Sequence, residues 1–124
     1  RGARSVVCVE NNHSAAAIAK QNAQIVMAAG ECDPSVVSIS LLSAESFLTS
    51  ARSRWDVVFI DPPYELDNSE VANLLMLLPR ALNPQATIIL ERSTRSGLCE
   101  LPAEISHDKD KVYGETTIHW LSLK

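Results

Sequence analysis

Short apolar runs alternate along the chain with longer stretches whose apolar residues recur every three or four positions, and this alternation predicts the elements. Ser5-Val6-Val7-Cys8-Val9 is apolar after its first residue and stops at Glu10, the pattern of a strand buried on both faces of a parallel sheet. From about Ser14 to Ala29 the spacing becomes helical, with Ala15, Ile18, Ala19, Ile25, Val26 and Ala29 on one stripe and Asn22 among them. Asn22 needs a hydrogen-bond partner if that stripe is buried. Gly30 is placed to cap the helix, and Pro34 to stop it.

Val36 to Leu42, rich in β-branched and apolar residues, predicts a second strand, after which Ser43 caps a short helix carrying Phe47, Leu48 and Ala51. Trp55 to Ile60 is a third strand that runs straight into Asp61-Pro62-Pro63-Tyr64. Asp67 and Glu70 have the spacing of a capping box, and Val71, Leu74, Leu75 and Leu78 share one face of the helix behind it, which Pro79 ends or kinks. Ala86 to Glu91 is a fourth buried strand. Glu104 to Val112 and Thr116 to Leu123 predict a final pair, joined by a tight turn at Tyr113-Gly114-Glu115.

Strands alternating with helices and then a terminal hairpin define an α/β fold: a single domain over 1–124, mostly parallel, with a C-terminal antiparallel hairpin. Such sheets bind ligands beyond the carboxyl ends of their strands. The polar residues ending these strands are Glu10, Ser43, Asp61 and Glu91, so three acids share the edge where a ligand is expected.

Asp61-Pro62-Pro63-Tyr64 carries the strongest chemical signal. A conjugated amino group is a poor nucleophile because its lone pair is delocalised. A carboxylate and a backbone carbonyl that accept its two hydrogens hold the nitrogen facing a donor and let the lone pair localise. Two prolines fix the backbone and remove N–H groups, so the Asp61 side chain and the Pro62 carbonyl can converge on one point, while Tyr64 offers a face for stacking a base. The plain alternative is an Asp-Pro turn that only ends a strand. Glu10 suits the hydroxyls of a nucleoside ribose; its alternative is a solvated acid beside the turn that Asn11 and Asn12 begin. Ser43-Ala44 would then lie by the adenine ring, recognised through the Ala44 N–H. Phe47 is expected in the core, and Arg92 and Arg95 in a solvated loop.

Charge narrows the partners: at a net −4 over 124 residues, an extended phosphate-binding surface is not expected. Cys8, Cys32 and Cys99 are widely spaced, which favours reduced, buried thiols and a cytoplasmic location over disulfides or zinc. His13, His107 and His119 lack metal-ligand spacing, so no metal is expected. No apolar run is long enough for a membrane helix. Arg1-Gly2-Ala3-Arg4 does not read as a signal peptide, and the missing initiator Met suggests a fragment or a trimmed chain.

Val6 to Glu10, the helix carrying Asn22, Trp55 to Tyr64, Ala86 to Glu91 and Tyr113-Gly114-Glu115-Thr116 together resemble the RsmD family, bacterial 16S rRNA guanine-N2 methyltransferases. The likeness runs over nearly the whole chain. It implies a Rossmann-like class I fold dependent on S-adenosyl-L-methionine, with Glu10, Asn11, Ser43, Ala44 and Asp61 at the cofactor and Asp61, Pro62, Pro63 and Tyr64 at the target guanine. The implied partner is small-subunit ribosomal RNA in an assembling 30S particle. Two departures stand out. The family usually has Asp where Ser43 stands, and its first strand and Gly-rich loop, of the Asp-x-x-x-Gly-x-Gly kind, belong immediately before Arg1. That strand lies between those ending at Glu10 and Asp61, so both are expected to present free edges open to self-association.

Other readings are a DNA adenine-N6 or protein glutamine-N5 methyltransferase, whose turn more often begins with Asn, and a non-catalytic remnant of the fold. A nicotinamide-dependent enzyme would explain Glu10 but leaves Pro62, Pro63 and Tyr64 without a role. Without the Gly-rich loop, the 124 residues are expected neither to bind the cofactor well nor to turn over. Isothermal titration of S-adenosylmethionine into this chain should show no micromolar binding; a micromolar isotherm would show the loop to be dispensable.

Overall fold

In the computed structural model, which describes residues 2–124, the strands pair in two separate sets, one in each of the units Arg1–Ser50 and Ala51–Lys124. In the first unit β1 (Val6–Val9) and β2 (Val37–Ser40) run parallel, from Val6 opposite Val37 to Val9 opposite Ser40. Between them lies α1 (His13–Ala29), begun by Asn12, whose side chain accepts the Ala15 N–H at 3.0 Å. Gly30 caps the helix in a right-handed conformation, and Glu31 takes the positive φ of 51° instead. The second strand is shorter than predicted. Asp33 accepts the Ser35 N–H and opens a 3₁₀ turn over Pro34–Val36, while Leu41 and Leu42 leave the ladder exposed. Ser43 caps α2 (Ala44–Ser50) by accepting the Ser46 N–H at 3.1 Å.

The predicted buried stripe of α1 is corrected. Ala16 is buried and Ala15, Ala19, Ala23 and Met27 are half-buried, whereas Ile18, Asn22, Ile25, Val26 and Ala29 are exposed. At about 100° per residue the centres of the two sets lie roughly 100° apart around the helix, so the buried side is rotated away from the predicted stripe. Ala23 and Met27 share a cleft of about 300 Å³ with Val37 and Ile39, which shows that the small side chains face β2. Alanines let a helix approach its strands closely, and a helix apolar on both sides does not reveal by periodicity which side packs. Exposed, Asn22 needs no protein partner.

In the second unit β3 (Trp55–Ile60) pairs parallel with β4 (Leu82–Ser93), which pairs antiparallel with β6 (Thr116–Leu123), itself antiparallel to β5 (Ile105–Tyr113), in the order β3-β4-β6-β5. The capping box of α3 (Asn68–Leu77) forms as expected, Asp67 accepting the Glu70 N–H at 2.9 Å and Glu70 the Asp67 N–H at 3.0 Å. Hydrogen bonds from the Ser69 hydroxyl and then the Glu70 N–H hold the Asp67 carboxyl below its usual range. Pro79 ends the helix in a 3₁₀ turn. β4 starts earlier than predicted and bulges: Trp55 faces Leu82 but Val57 faces Thr87, and Gln85 in the extra segment adopts a φ of 66°.

Val71, Leu75 and Leu78 of the helical segment, Leu82, Ala86, Ile88 and Leu90 of β4, and Leu121 of β6 form the core. Full burial of each large aliphatic side chain contributes about 1.5–3 kcal/mol. The expectation that the first strand is buried on both faces is corrected, and the third is exposed on one face too. Val6 and Cys8 are exposed, as are Val57 and Phe59, the last at 77%. Among the described residues β1 pairs only with β2 and β3 only with β4, so each keeps one free edge. Cys8 and Cys32 are exposed rather than buried; Cys99 is buried, and burial pushes its thiol up. No helix among the described residues is long and apolar enough to cross a membrane.

β5 is an edge strand whose Asp108, Lys109, Asp110 and Lys111 guard it against pairing with another chain. A bulge between His107 and Lys109 brings His107 and Asp110 to the same side as His119 on β6. One Asp110 carboxylate oxygen meets His107 Nε2 and His119 Nδ1, each at 2.6 Å. Partial burial raises the Asp110 carboxyl, but the hydrogen bonds from His107 and then His119 outweigh it and hold the group below its ordinary value. A carboxyl lowered by folding stabilises the fold above its unfolded pKa, and that contribution disappears as pH falls through the folded value. Asp110→Asn should therefore lower the thermal midpoint by a few degrees at pH 7. In thermal melts the difference from wild type should close as pH falls below about 4; a gap independent of pH would show that the carboxylate charge is not what matters.

Candidate active site

The strand-end turn is built from both sides. β3 delivers Asp61 at the carboxyl end of the ladder, and Leu66 N–H closes the turn onto the Pro63 carbonyl at 3.0 Å. Behind it, Arg92 on β4 is 3% exposed. Its Nη2 donates to the Leu66 carbonyl at 2.9 Å and to Asn68 Oδ1 at 3.0 Å, and Asn68 Nδ2 donates in turn to the Ser96 carbonyl at 2.7 Å. The segment following Tyr64 is thus fastened to β4 and to the loop beyond it. On the outer side Asp61, Pro63 and Tyr64 are exposed and Pro62 is half-buried, with Tyr64 at 68%. An exposed aromatic ring and an exposed carboxylate on a fastened, proline-stiffened turn can bind a flat ligand with little further ordering.

Arg92 is the principal correction. Read as part of a solvated loop, it is instead a buried hydrogen-bond donor that positions the turn. The signal was present in the strand: Ala86, Ile88, Leu90 and Arg92 are all buried at a period of two, so the alternation carries Arg92 inward. Arg95, by contrast, is exposed, and Glu91 is half-buried.

A cleft of about 240 Å³ adjoins the turn, lined by Tyr64, Ser93, Arg95, Ser96 and Glu115. Its far wall is the β5–β6 turn, where Gly114 takes a φ of 62° that favours glycine. The Thr94 N–H donates to the Glu115 carbonyl at 2.7 Å, joining that turn to the end of β4.

The other predicted residues belong to the first unit. The Glu10 N–H donates to the Ser40 carbonyl at 3.0 Å, so Glu10 and the Ser43–Ala44 segment follow the same ends of the β1–β2 pair. Glu10 Oε1 accepts the Asn12 N–H at 2.9 Å. Its second oxygen accepts no hydrogen bond among the described residues. Asn11 and Ala44 are exposed, Phe47 is half-buried, and the Ser43 hydroxyl is engaged with Ser46 as a helix cap. The 300 Å³ cleft between α1 and β2 lies at the other ends of these strands, away from Glu10.

The spacing of the histidines gave no hint of a cluster, yet His107, Asp110 and His119 offer ligand atoms within 4.8 Å of one another. His119 Nε2 is buried without a partner among the described residues. A metal on His119 Nδ1 would force the ring proton onto that nitrogen, leaving a buried unsatisfied donor at a cost of about 1–3 kcal/mol. With Nδ1–H donating to Asp110, Nε2 is left as an unpartnered acceptor instead, and through the shared carboxylate oxygen the cluster serves as a clasp between β5 and β6.

None of the curated proteins matches the chain. Among solved structures it is similar to a candidate methyltransferase of Escherichia coli, with a TM-score of 0.81 and 21% identity over 98% of this chain and 64% of that one. A conserved hypothetical protein of Streptococcus pyogenes superposes with a TM-score of 0.81 at 24% identity, covering 98% of this chain and 72% of that one. A candidate SAM-dependent methyltransferase from Streptococcus mutans does so with a TM-score of 0.76 at 12% identity, covering 98% and 39%. These likenesses show the Rossmann-like fold of class I methyltransferases. Residues 1–122 match the family described as conserved hypothetical protein 95, an RsmD-like family, and the chain belongs to it.

Proposed function

We propose that this chain is the greater part of the catalytic domain of an S-adenosyl-L-methionine-dependent methyltransferase that modifies the exocyclic N2 amino group of a guanine in 16S ribosomal RNA. The observation that carries the reading is the fastened Asp61–Tyr64 turn, with its carboxylate and aromatic ring exposed at a strand end. Support for the donor comes from the first unit: Glu10 keeps a carboxylate oxygen for a ribose hydroxyl, whereas Ser43 has its hydroxyl committed to its helix. The fit is good at Glu10 and Asn11 and leaves base recognition to the backbone of Ala44.

When bound, S-adenosyl-L-methionine supplies a methyl group on a positively charged sulfur. Asp61 and the Pro62 carbonyl accept the two amino hydrogens of the target and turn its lone pair out of conjugation. Tyr64 stacks the ring, and Pro63 keeps the turn stiff. Asp61 is also in position to take the proton that the nitrogen gives up as its new bond to carbon forms. Arg92 touches no substrate and acts by holding the turn. The substrate is small-subunit RNA in an assembling particle in the cytoplasm.

A longer chain that adds the expected N-terminal strand and Gly-rich loop, assayed with radiolabelled donor, should methylate small-subunit particles and leave naked DNA and protein unlabelled. Label in DNA or protein alone would overturn the substrate. In that chain Asp61→Ala should lower kcat by about 100-fold or more. Arg92→Met leaves the Leu66 carbonyl and Asn68 without their donor, so denaturant titration should show a loss of about 1–3 kcal/mol. Its kcat should fall about tenfold, the cost of a looser turn, while the KM for S-adenosylmethionine holds.

A further inference from the structure

The cleft beside Tyr64 brings together two opposite charges that the fold does not need. Arg95 Nη2 and Glu115 Oε1 stand 3.6 Å apart, beyond hydrogen-bonding distance, with side chains 88% and 90% exposed. A pair so exposed contributes little to stability. Neither side chain makes a hydrogen bond among the described residues. Their backbones, however, are fixed. The bond from Thr94 N–H to the Glu115 carbonyl joins the two turns, Ser93 faces Thr116 across the β4–β6 ladder, and Asn68 holds the Ser96 carbonyl. Two charged groups are therefore carried on a rigid rim next to an exposed aromatic ring. At about 240 Å³ the cleft is smaller than the roughly 300–1,000 Å³ of sites for drug-sized ligands, which suits a single heterocycle.

We infer that Arg95 and Glu115 read the O6 and N1–H edge of a purine stacked on Tyr64, and so select guanine over adenine. This rests on the reading of Asp61–Tyr64 as the turn that holds the target base. Guanine presents an acceptor, O6, beside a donor, N1–H. A guanidinium beside a carboxylate complements both. Adenine presents the reverse, an amino donor beside the N1 acceptor, and would face like against like at both atoms. The order O6, N1, N2 along guanine also leaves the amino group at the end away from Arg95, available to Asp61. The discrimination is made by the ring edge, independently of the group that is methylated.

Hypoxanthine separates the two roles, because it keeps O6 and N1–H but lacks the amino group. The ¹⁵N-labelled chain is titrated with guanosine, inosine and adenosine 5′-monophosphates, following the amides of Tyr64, Arg95, Ser96 and Glu115. Guanosine monophosphate should bind at least as tightly as inosine monophosphate, which lacks the amino group held by Asp61, and the adenosine compound should bind about tenfold more weakly than inosine monophosphate. Glu115→Ala and Arg95→Met should each abolish the preference; both side chains are exposed, and unchanged dispersion of the remaining amides confirms folding. Asp61→Asn should leave the inosine-over-adenosine preference intact. Equal binding of all three nucleotides, a preference that survives both rim variants, or no shift at millimolar nucleotide overturns the inference. If the longer chain fails to transfer methyl groups while the preference stands, only the proposed function falls. Transfer without the preference defeats only the role of the rim.

Discussion

A guanidinium buried to the extent of Arg92 has lost its water, and hydrogen bonds must offset that loss. Two of those bonds come from one nitrogen, Nη2, and both end on the segment that follows Asp61–Tyr64. The constraint runs in both directions. The turn supplies the acceptors that make the buried charge tolerable, and the charge keeps the turn from relaxing into solvent. Nε remains buried without a partner among the described residues, so breaking either remaining bond would be costly. Asn68 extends the tie to Ser96, and through the end of β4 the same fastening reaches the rim that carries Arg95. A chemically exposed edge is thus backed by a buried polar anchor.

The same unit handles polarity differently at its far edge. β5 is exposed along most of its length and relies on charge to discourage pairing, while the Asp110 clasp fixes it to β6 through one shared carboxylate oxygen. Two bulges make these arrangements possible. The one in β4 lets its early residues fill the core before the regular ladder begins, and the one at Asp108 turns His107 toward Asp110. Each is a local departure from period two with a consequence for side-chain direction.

Much of the architecture was legible because it rests on local chemistry. The third and last strands, the Asp67–Glu70 capping box, the Ser43 cap and the turn at Gly114 all depend on residues within a few positions of one another. The turn Asp61-Pro62-Pro63-Tyr64 was legible for the same reason, since two prolines constrain their own backbone whatever surrounds them. The resemblance to RsmD proteins likewise rested on the order of such segments, and the family match bears it out.

What the sequence could not decide was which apolar surfaces are covered. α1 is apolar on two sides, and only packing showed that the alanine side meets β2 while Ile18, Ile25 and Val26 face outward. Val57 and Phe59, apolar in a strand, are exposed, because burial depends on a neighbour that a strand's own residues do not specify. Nor could spacing reveal that His107, Asp110 and His119 meet, since that takes a bulge and a cross-strand pair. Arg92 lay between the two cases: its alternation pointed inward, but a charge is placed inside only where distant acceptors await it. The sequence by itself determined the elements and the Asp61–Tyr64 turn, through forces that act over a few residues. The tertiary structure decided what holds that turn still and which charges stand beside it, because those contacts join residues some two dozen positions apart in the chain.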